Sequence, residues 1–148
     1  MLQKCIERLE NEGADIILFI CTGTFPDIFK STKPLLYPQK IIHSVMPPLL
    51  GNSKLAVVVP HKEQINQSIK KWKETGINAD VFSGSPYSKA DEISEVITEL
   101  NKSYADVVIL DCIGYTREMK KRVSEGTDKS VILARTLVSR VLGELLDS

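Results

Sequence analysis

The sequence predicts an α/β protein: a three-layer α/β/α sandwich on a mainly parallel, flavodoxin-like sheet, joined to part of a second, similar lobe. Three observations predict it. Strand-length apolar runs alternate with longer amphipathic segments along most of the 148 residues, which is the pattern of parallel βα units. Two of the runs, Ala14 to Gly23 and Ala105 to Gly114, share one plan: an Ala-Asp entry, an apolar strand, a cysteine at its end and a glycine two residues later. Residues 54–133 supply four strands and three crossover helices, whereas residues 1–53 supply one convincing strand and a Pro-rich stretch, too little sheet to bury both faces.

The elements follow in order. Leu2, Ile6 and Leu9 at helical spacing predict a helix over 2–12, with Cys5 packed in its core face. A strand over 15–20 leads into an irregular stretch to about residue 40, a short strand near 41–43 and a short helix near 46–51. The strand 55–59 ends at Pro60, since a central strand cannot spare an amide donor. The helix 62–75 carries Trp72 and closes at Thr75-Gly76. A strand over 79–82 runs into the turn Ser83-Gly84-Ser85-Pro86, and Ser88 is the expected cap of a helix over 90–102. A strand 106–110, a helix 115–124, a strand 130–133 and a helix 135–146 complete the chain.

The last helix carries Leu137, Val138, Val141, Leu142, Leu145 and Leu146, an apolar face that the first lobe or a second copy of the chain must cover. The expected organisation is a partial amino-terminal lobe and interlobe segment over 1–53, a main lobe over 54–133 and a carboxyl-terminal helix over 134–148.

Composition excludes several function classes. Lys+Arg 19 balances Asp+Glu 19, so no long-range field favours nucleic acid or an anionic membrane. Lys70, Lys71 and Lys73 around Trp72 read as a solvated face. Cys5, Cys21 and Cys112 form an odd set without a C-x-x-C pair, which argues against a disulfide scaffold or structural zinc and points to a reducing cytosol. The apolar runs are too short to span a bilayer. Without H-E-x-x-H, P-loop, G-x-G-x-x-G or G-x-S-x-G motifs, no metal or cofactor is expected.

In a parallel sheet the loops after the strands' carboxyl ends form the ligand crevice, so the repeated plan places two thiols, Cys21 and Cys112, where they can face one small molecule. Gly23 permits close backbone approach, and Thr22 and Thr24 offer hydroxyls to a carboxylate. On the other side, Gly114, Tyr115 and Thr116 lead into a helix whose free N–H groups suit an anion, with Arg117 beside them. His61 after Pro60, and Ser83 and Ser85 around Gly84, are further candidates, and His43 a weaker one. Strand alternation turns Asp111 away from Cys112, toward a role in the fold. Cysteine suits proton transfer because a thiol titrating near 8.5 is readily brought close to neutrality. Two sulfurs on opposite faces of one carbon would sit about 6–7 Å apart.

The same residues carry a family resemblance. Ile20-Cys21-Thr22-Gly23-Thr24, Met46-Pro47-Pro48-Leu49-Leu50, Leu55-Ala56-Val57-Val58-Val59-Pro60 with Glu63, and Leu110-Asp111-Cys112-Ile113-Gly114-Tyr115 resemble the AroM family, within the superfamily of aspartate, glutamate and hydantoin racemases. The resemblance covers the whole chain but only roughly the carboxyl-terminal two thirds of a family member. It implies two pseudo-symmetric lobes around a pocket for a small carboxylate. It also implies cofactor-independent isomerase chemistry, in which one thiolate removes an α-proton and the opposite thiol returns one. Cys21 and Cys112 match the two racemase cysteines. The flanking residues differ: Thr22-Gly23-Thr24 stands where racemases carry Asn-Thr, and Asp111-Cys112-Ile113-Gly114 where they carry Gly-Cys-Thr before a His or Glu. Three expectations therefore stand together: a racemase-like isomerase, a non-catalytic module binding a small carboxylate, and a structural fragment that pairs with a copy of itself.

Overall fold

The computed structural model describes residues 1–147. Its centre is a four-stranded parallel sheet of β3 (Leu55–Val59), β4 (Asp80–Ser83), β5 (Val107–Leu110) and β6 (Ser130–Leu133), in the spatial order β4-β3-β5-β6. Counted within the sheet this order is 2-1-3-4, the flavodoxin-like arrangement, whose switch point lies between β3 and β5. Val58 pairs with Leu110 and Leu110 with Leu133, so the carboxyl ends of three strands lie level. The expected fold class is observed.

Strand alternation builds both layers. Ala56, Val58, Val108, Leu110, Val131 and Leu133 face α4 (Glu92–Leu100) and α5 (Arg117–Thr127) through Ile93, Val96, Leu100 and Val123. Leu55, Val57, Val59 and Ile109 face the other way, onto α2 (Pro38–Leu50), α3 (Ile65–Glu74) and α6 (Ala134–Leu146). All of β3 is buried, which explains its uninterrupted apolar run. The apolar face of α6 is covered in part by α2, and Ala134 and Val138 are its buried residues. The core of the main sheet thus takes in a helix from the amino-terminal third.

That third differs from expectation in several places. The strand predicted over 15–20 shortens to β1 (Ile17–Leu18), and its parallel partner β2 (Leu35–Leu36) lies inside the stretch read as irregular. The strand expected near 41–43 is helix, and the helix expected over 46–51 is the end of the same element, α2. Pro38 at its first turn starts it, where the missing N–H is not needed. Ile42, Met46 and Leu50 form its buried stripe at four-residue spacing. Pro47 and Pro48 do not interrupt it before Leu50. In α1 (Leu2–Asn11) Ile6 is buried but Cys5 is exposed, so Cys5 is not a core residue.

Smaller corrections concern helix starts. A 3-10 turn over Lys62–Gln64 precedes α3. The cap of α4 is Asp91, which accepts the Ser94 N–H at 3.2 Å, rather than Ser88, whose hydroxyl accepts the Ala90 N–H at 3.1 Å in a local turn. Ser94 and Arg122 hold the Asp91 carboxyl down to about 2. Thr75-Gly76 closes α3 as expected, with Gly76 at φ +83°, a conformation that favours glycine.

Beneath α2, the His43 ring stacks on Trp72 with centroids 3.9 Å apart and 20° between planes. Both ring nitrogens are buried and unpartnered. Burial, followed by the Lys71 charge, lowers the His43 pKa from 6.5 to about 4. The folded value lies below the unfolded one, so the neutral ring contributes stability that is fully present above pH 6.5 and lost as pH falls toward 4. Discounted for solvent screening, the effect is about 1–2 kcal/mol. Urea midpoints measured from pH 7 to 5 should fall in the parent protein, and His43→Phe, which keeps the stack, should flatten the fall. An unchanged slope in His43→Phe would assign it to other groups.

Candidate functional site

At the switch point a cleft of about 570 Å³ opens between the loop 20–24 after β1 and the loop 111–114 after β5, with α3 as its third wall. Cys21 and Cys112 both line it. Each sulfur accepts an N–H from the glycine two residues on, Gly23 to Cys21 at 3.3 Å and Gly114 to Cys112 at 3.4 Å. The repeated Cys-x-Gly plan is therefore one local device used twice: the loop turns back so that an amide dipole points at the thiol. Cys21 is exposed and Cys112 half-buried.

A polar bridge holds the two loops together. The Lys71 ammonium lies 3.6 Å from Asp111 Oδ2 and donates to the Thr22 carbonyl at 3.3 Å. The Thr22 hydroxyl donates to the Asp111 carbonyl at 3.2 Å. Burial pushes the Asp111 carboxyl up, and Lys71 opposes that shift. One sequence expectation holds here and one is overturned. Asp111 keeps the strand alternation: its N–H still pairs with the Val58 carbonyl and its carboxylate turns to Lys71 on the α3 face, while Cys112 packs toward α4 and α5, and the cleft reaches both residues. Lys71 is not on a solvated face, because the turn of α3 carries it inward while Lys70 and Lys73 stay exposed.

Beside Cys112, Arg135 from the first turn of α6 donates through Nε to the Ile113 carbonyl at 2.8 Å and through Nη2 to the Gly114 carbonyl at 3.5 Å. These acceptors are neutral, so its positive charge remains available to an anion in the cleft. The Tyr87 hydroxyl lies 4.0 Å from Cys112 Sγ. Its pKa is raised, first by the charge Cys112 carries as a thiolate and then by burial. A Cβ at Gly114 would overlap the Tyr87 ring and hydroxyl, so the close approach of this tyrosine needs glycine there.

The other expected residues divide into two groups. Thr22, Gly23, Thr24 and Gly114 line the cleft with the cysteines. His61, Ser83 and Ser85 line a neighbouring depression of about 420 Å³ with Glu92. There the His61 N–H donates to Gln64 Oε1 at 3.2 Å and the Ser85 N–H to Glu92 Oε2 at 2.6 Å.

Tyr115 and Thr116 do not face the cleft. Tyr115 is fully buried, its hydroxyl donates to the Gly84 carbonyl at 2.6 Å, and burial pushes its pKa up. Thr116 caps α5 by accepting the Met119 N–H at 3.2 Å, and Arg117 beyond it is exposed. Residues that the sequence reading missed are Gln64 at the end of the 3-10 turn and Gln67, Ser68 and Lys71 on α3, together with Tyr87 and Arg135. Only the α3 set carried a signal, polar side chains at spacings of three and four. Among the described residues no group of three or more His, Cys, Asp or Glu side chains is placed to hold a metal ion, and no helix is long and apolar enough to cross a membrane.

The fold has solved counterparts. The maleate isomerase Iso from Pseudomonas putida S16 superposes with a TM-score of 0.75 at 14% identity, over 98% of this chain and 70% of that one. The glutamate racemase from Aquifex pyrophilus superposes with a TM-score of 0.66 at 16% identity, over 97% of this chain and 64% of that one. The chain thus spans about two thirds of the length of these neighbours, and at such identities the likeness establishes the fold. No curated protein matches the sequence. The family model described as AroM protein matches residues 1–146, and the chain belongs to the AroM family.

Proposed function

We propose that this protein carries out cofactor-independent, racemase- or isomerase-type proton transfer at the α-carbon of a small carboxylate, with Cys21 and Cys112 as the two acid–base groups. The observation that carries the reading is that both thiols line one cleft, each with an amide N–H on its sulfur. One thiolate takes the α-proton, and the C–H electron pair passes into the adjoining carboxylate. The opposite thiol then delivers its proton to the other face, leaving the thiolate on the second sulfur. Arg135 is suited to hold the substrate carboxylate, since charge developing on its oxygens is best met by a fixed cation in a partly dry site. Thr24 and the Gly23 backbone flank the opposite side. The solved neighbours are a maleate isomerase and a glutamate racemase, which agrees with a small carboxylate as ligand.

The test is solvent-deuterium incorporation at the α-carbon of aspartate, glutamate and 2-hydroxy acids, followed by proton NMR. The parent protein should exchange at least one of them, and Cys21→Ala and Cys112→Ala should each slow exchange by about 10²–10⁴-fold. Exchange that survives both changes would remove the cysteines from the mechanism. Carboxylates that shield both thiols from alkylation yet never exchange would replace the reaction with simple binding.

A further inference from the structure

The wall of the cleft contributed by α3 has a feature that packing does not account for. Ile65, Ser68 and Trp72 share the stripe that turns toward the sheet, and Ile65 and Trp72 belong to the apolar core there. Ser68 lies between them, 4% exposed, and its hydroxyl has no hydrogen-bond partner. It also lines the cleft, with Gln67 beside it and Lys71 one turn on. A buried hydroxyl without a partner is destabilising, and alanine at the same position would fill the stripe without that penalty. Its usual local acceptor, the carbonyl one helical turn back, is not used. Lys71 is already engaged by Asp111 and Thr22, and Gln64 Oε1 by the His61 N–H, which leaves Ser68 as the buried unpartnered hydroxyl of this wall, with Gln67 beside it.

We propose that Ser68 and Gln67 form a subsite for an oxygen substituent, hydroxyl or carbonyl, on the carboxylate that the cleft binds. The ligand is therefore an oxygenated carboxylate rather than an alkyl one. Its carboxylate lies toward Arg135 and its additional oxygen toward α3. The Ser68 hydroxyl can donate to either kind of oxygen, and the Gln67 amide can both donate and accept. A ligand without that oxygen would leave the buried Ser68 hydroxyl unpartnered, the situation in which polar sites discriminate most strongly. This inference rests on the cleft being a carboxylate site, as proposed above.

The experiment measures protection of Cys21 and Cys112 from iodoacetamide, read peptide by peptide by mass spectrometry. Two matched series serve as probes: propionate, lactate and pyruvate, and butyrate, 3-hydroxybutyrate and acetoacetate. In the parent protein the oxygenated members of at least one series should protect at concentrations about tenfold lower than the plain acid. Within that series, hydroxyl against carbonyl identifies the kind of oxygen. Ser68→Ala should abolish the difference, leave protection by the plain acid unchanged, and leave the thermal midpoint unchanged or raised. Gln67→Ala should reduce the difference. Equal protection by plain and oxygenated acids, or a preference that survives Ser68→Ala, overturns the subsite while leaving the carboxylate site in place. Failure of every acid to protect either thiol overturns both.

Discussion

Lys71→Met is expected to lower the free energy of unfolding by about 3–5 kcal/mol in urea titrations at neutral pH. The Lys71 side chain is 16% exposed and that of Asp111 2%, so removing the ammonium leaves a carboxylate in a site that water barely reaches. The same change releases the Thr22 carbonyl and loosens the loop that carries Cys21. Lys71→Met combined with Asp111→Leu should recover most of the loss, because replacing a buried pair by apolar groups of similar size is close to neutral. A single variant within 1 kcal/mol of the parent would mean that burial has already neutralised Asp111, the direction in which its pKa is pushed.

Trp72→Ala is the second large effect, about 3–5 kcal/mol. Trp72 is fully buried where β3, α2 and α3 meet, and it supports the stack that shields His43. For a chain of this size the loss corresponds to roughly 10–20 °C in the thermal midpoint. Trp72→Phe, which keeps an aromatic face under His43, should cost roughly half as much. If both variants unfold at the parent's midpoint, this core does not limit stability.

The main sheet was legible in the sequence because its signals are local. Each strand from β3 to β6 is a short apolar run ended by a proline, a turn or a helix cap, and no distant partner is needed to read it. The amino-terminal third was less legible. Leu35–Leu36 is strand only because Ile17–Leu18 lies beside it, and two-residue strands have no period to detect. In α2, residues 41–43 read as a short strand, which hid the stripe Ile42, Met46 and Leu50, whose period shows only along the whole helix.

The candidate site was read in the same uneven way. Cys21 with Gly23 and Cys112 with Gly114 stood out because each pair is a local device that the sequence repeats. Tyr115 and Thr116 were assigned to the ligand because they open a helix whose free N–H groups suit an anion, yet burial turns one toward Gly84 and capping engages the other. His61, Ser83 and Ser85 were correctly placed at strand ends but open into a separate depression. Asp111 follows the strand alternation that turned it away from Cys112, and its role in the fold is the ion pair with Lys71.

By itself the sequence determined the α/β class, the parallel sheet of the main unit and the two Cys-x-Gly loops, all of which follow from short-range periodicity and turn chemistry. Only the tertiary structure decided that Lys71 bridges Thr22 and Asp111, that Arg135 and Tyr87 flank Cys112, and that Ser68 is buried without a partner beside the cleft. The physical reason is sequence separation. Lys71 meets a loop 49 residues away, Arg135 meets one 22 residues away, and such meetings are set by strand order, which no local pattern encodes.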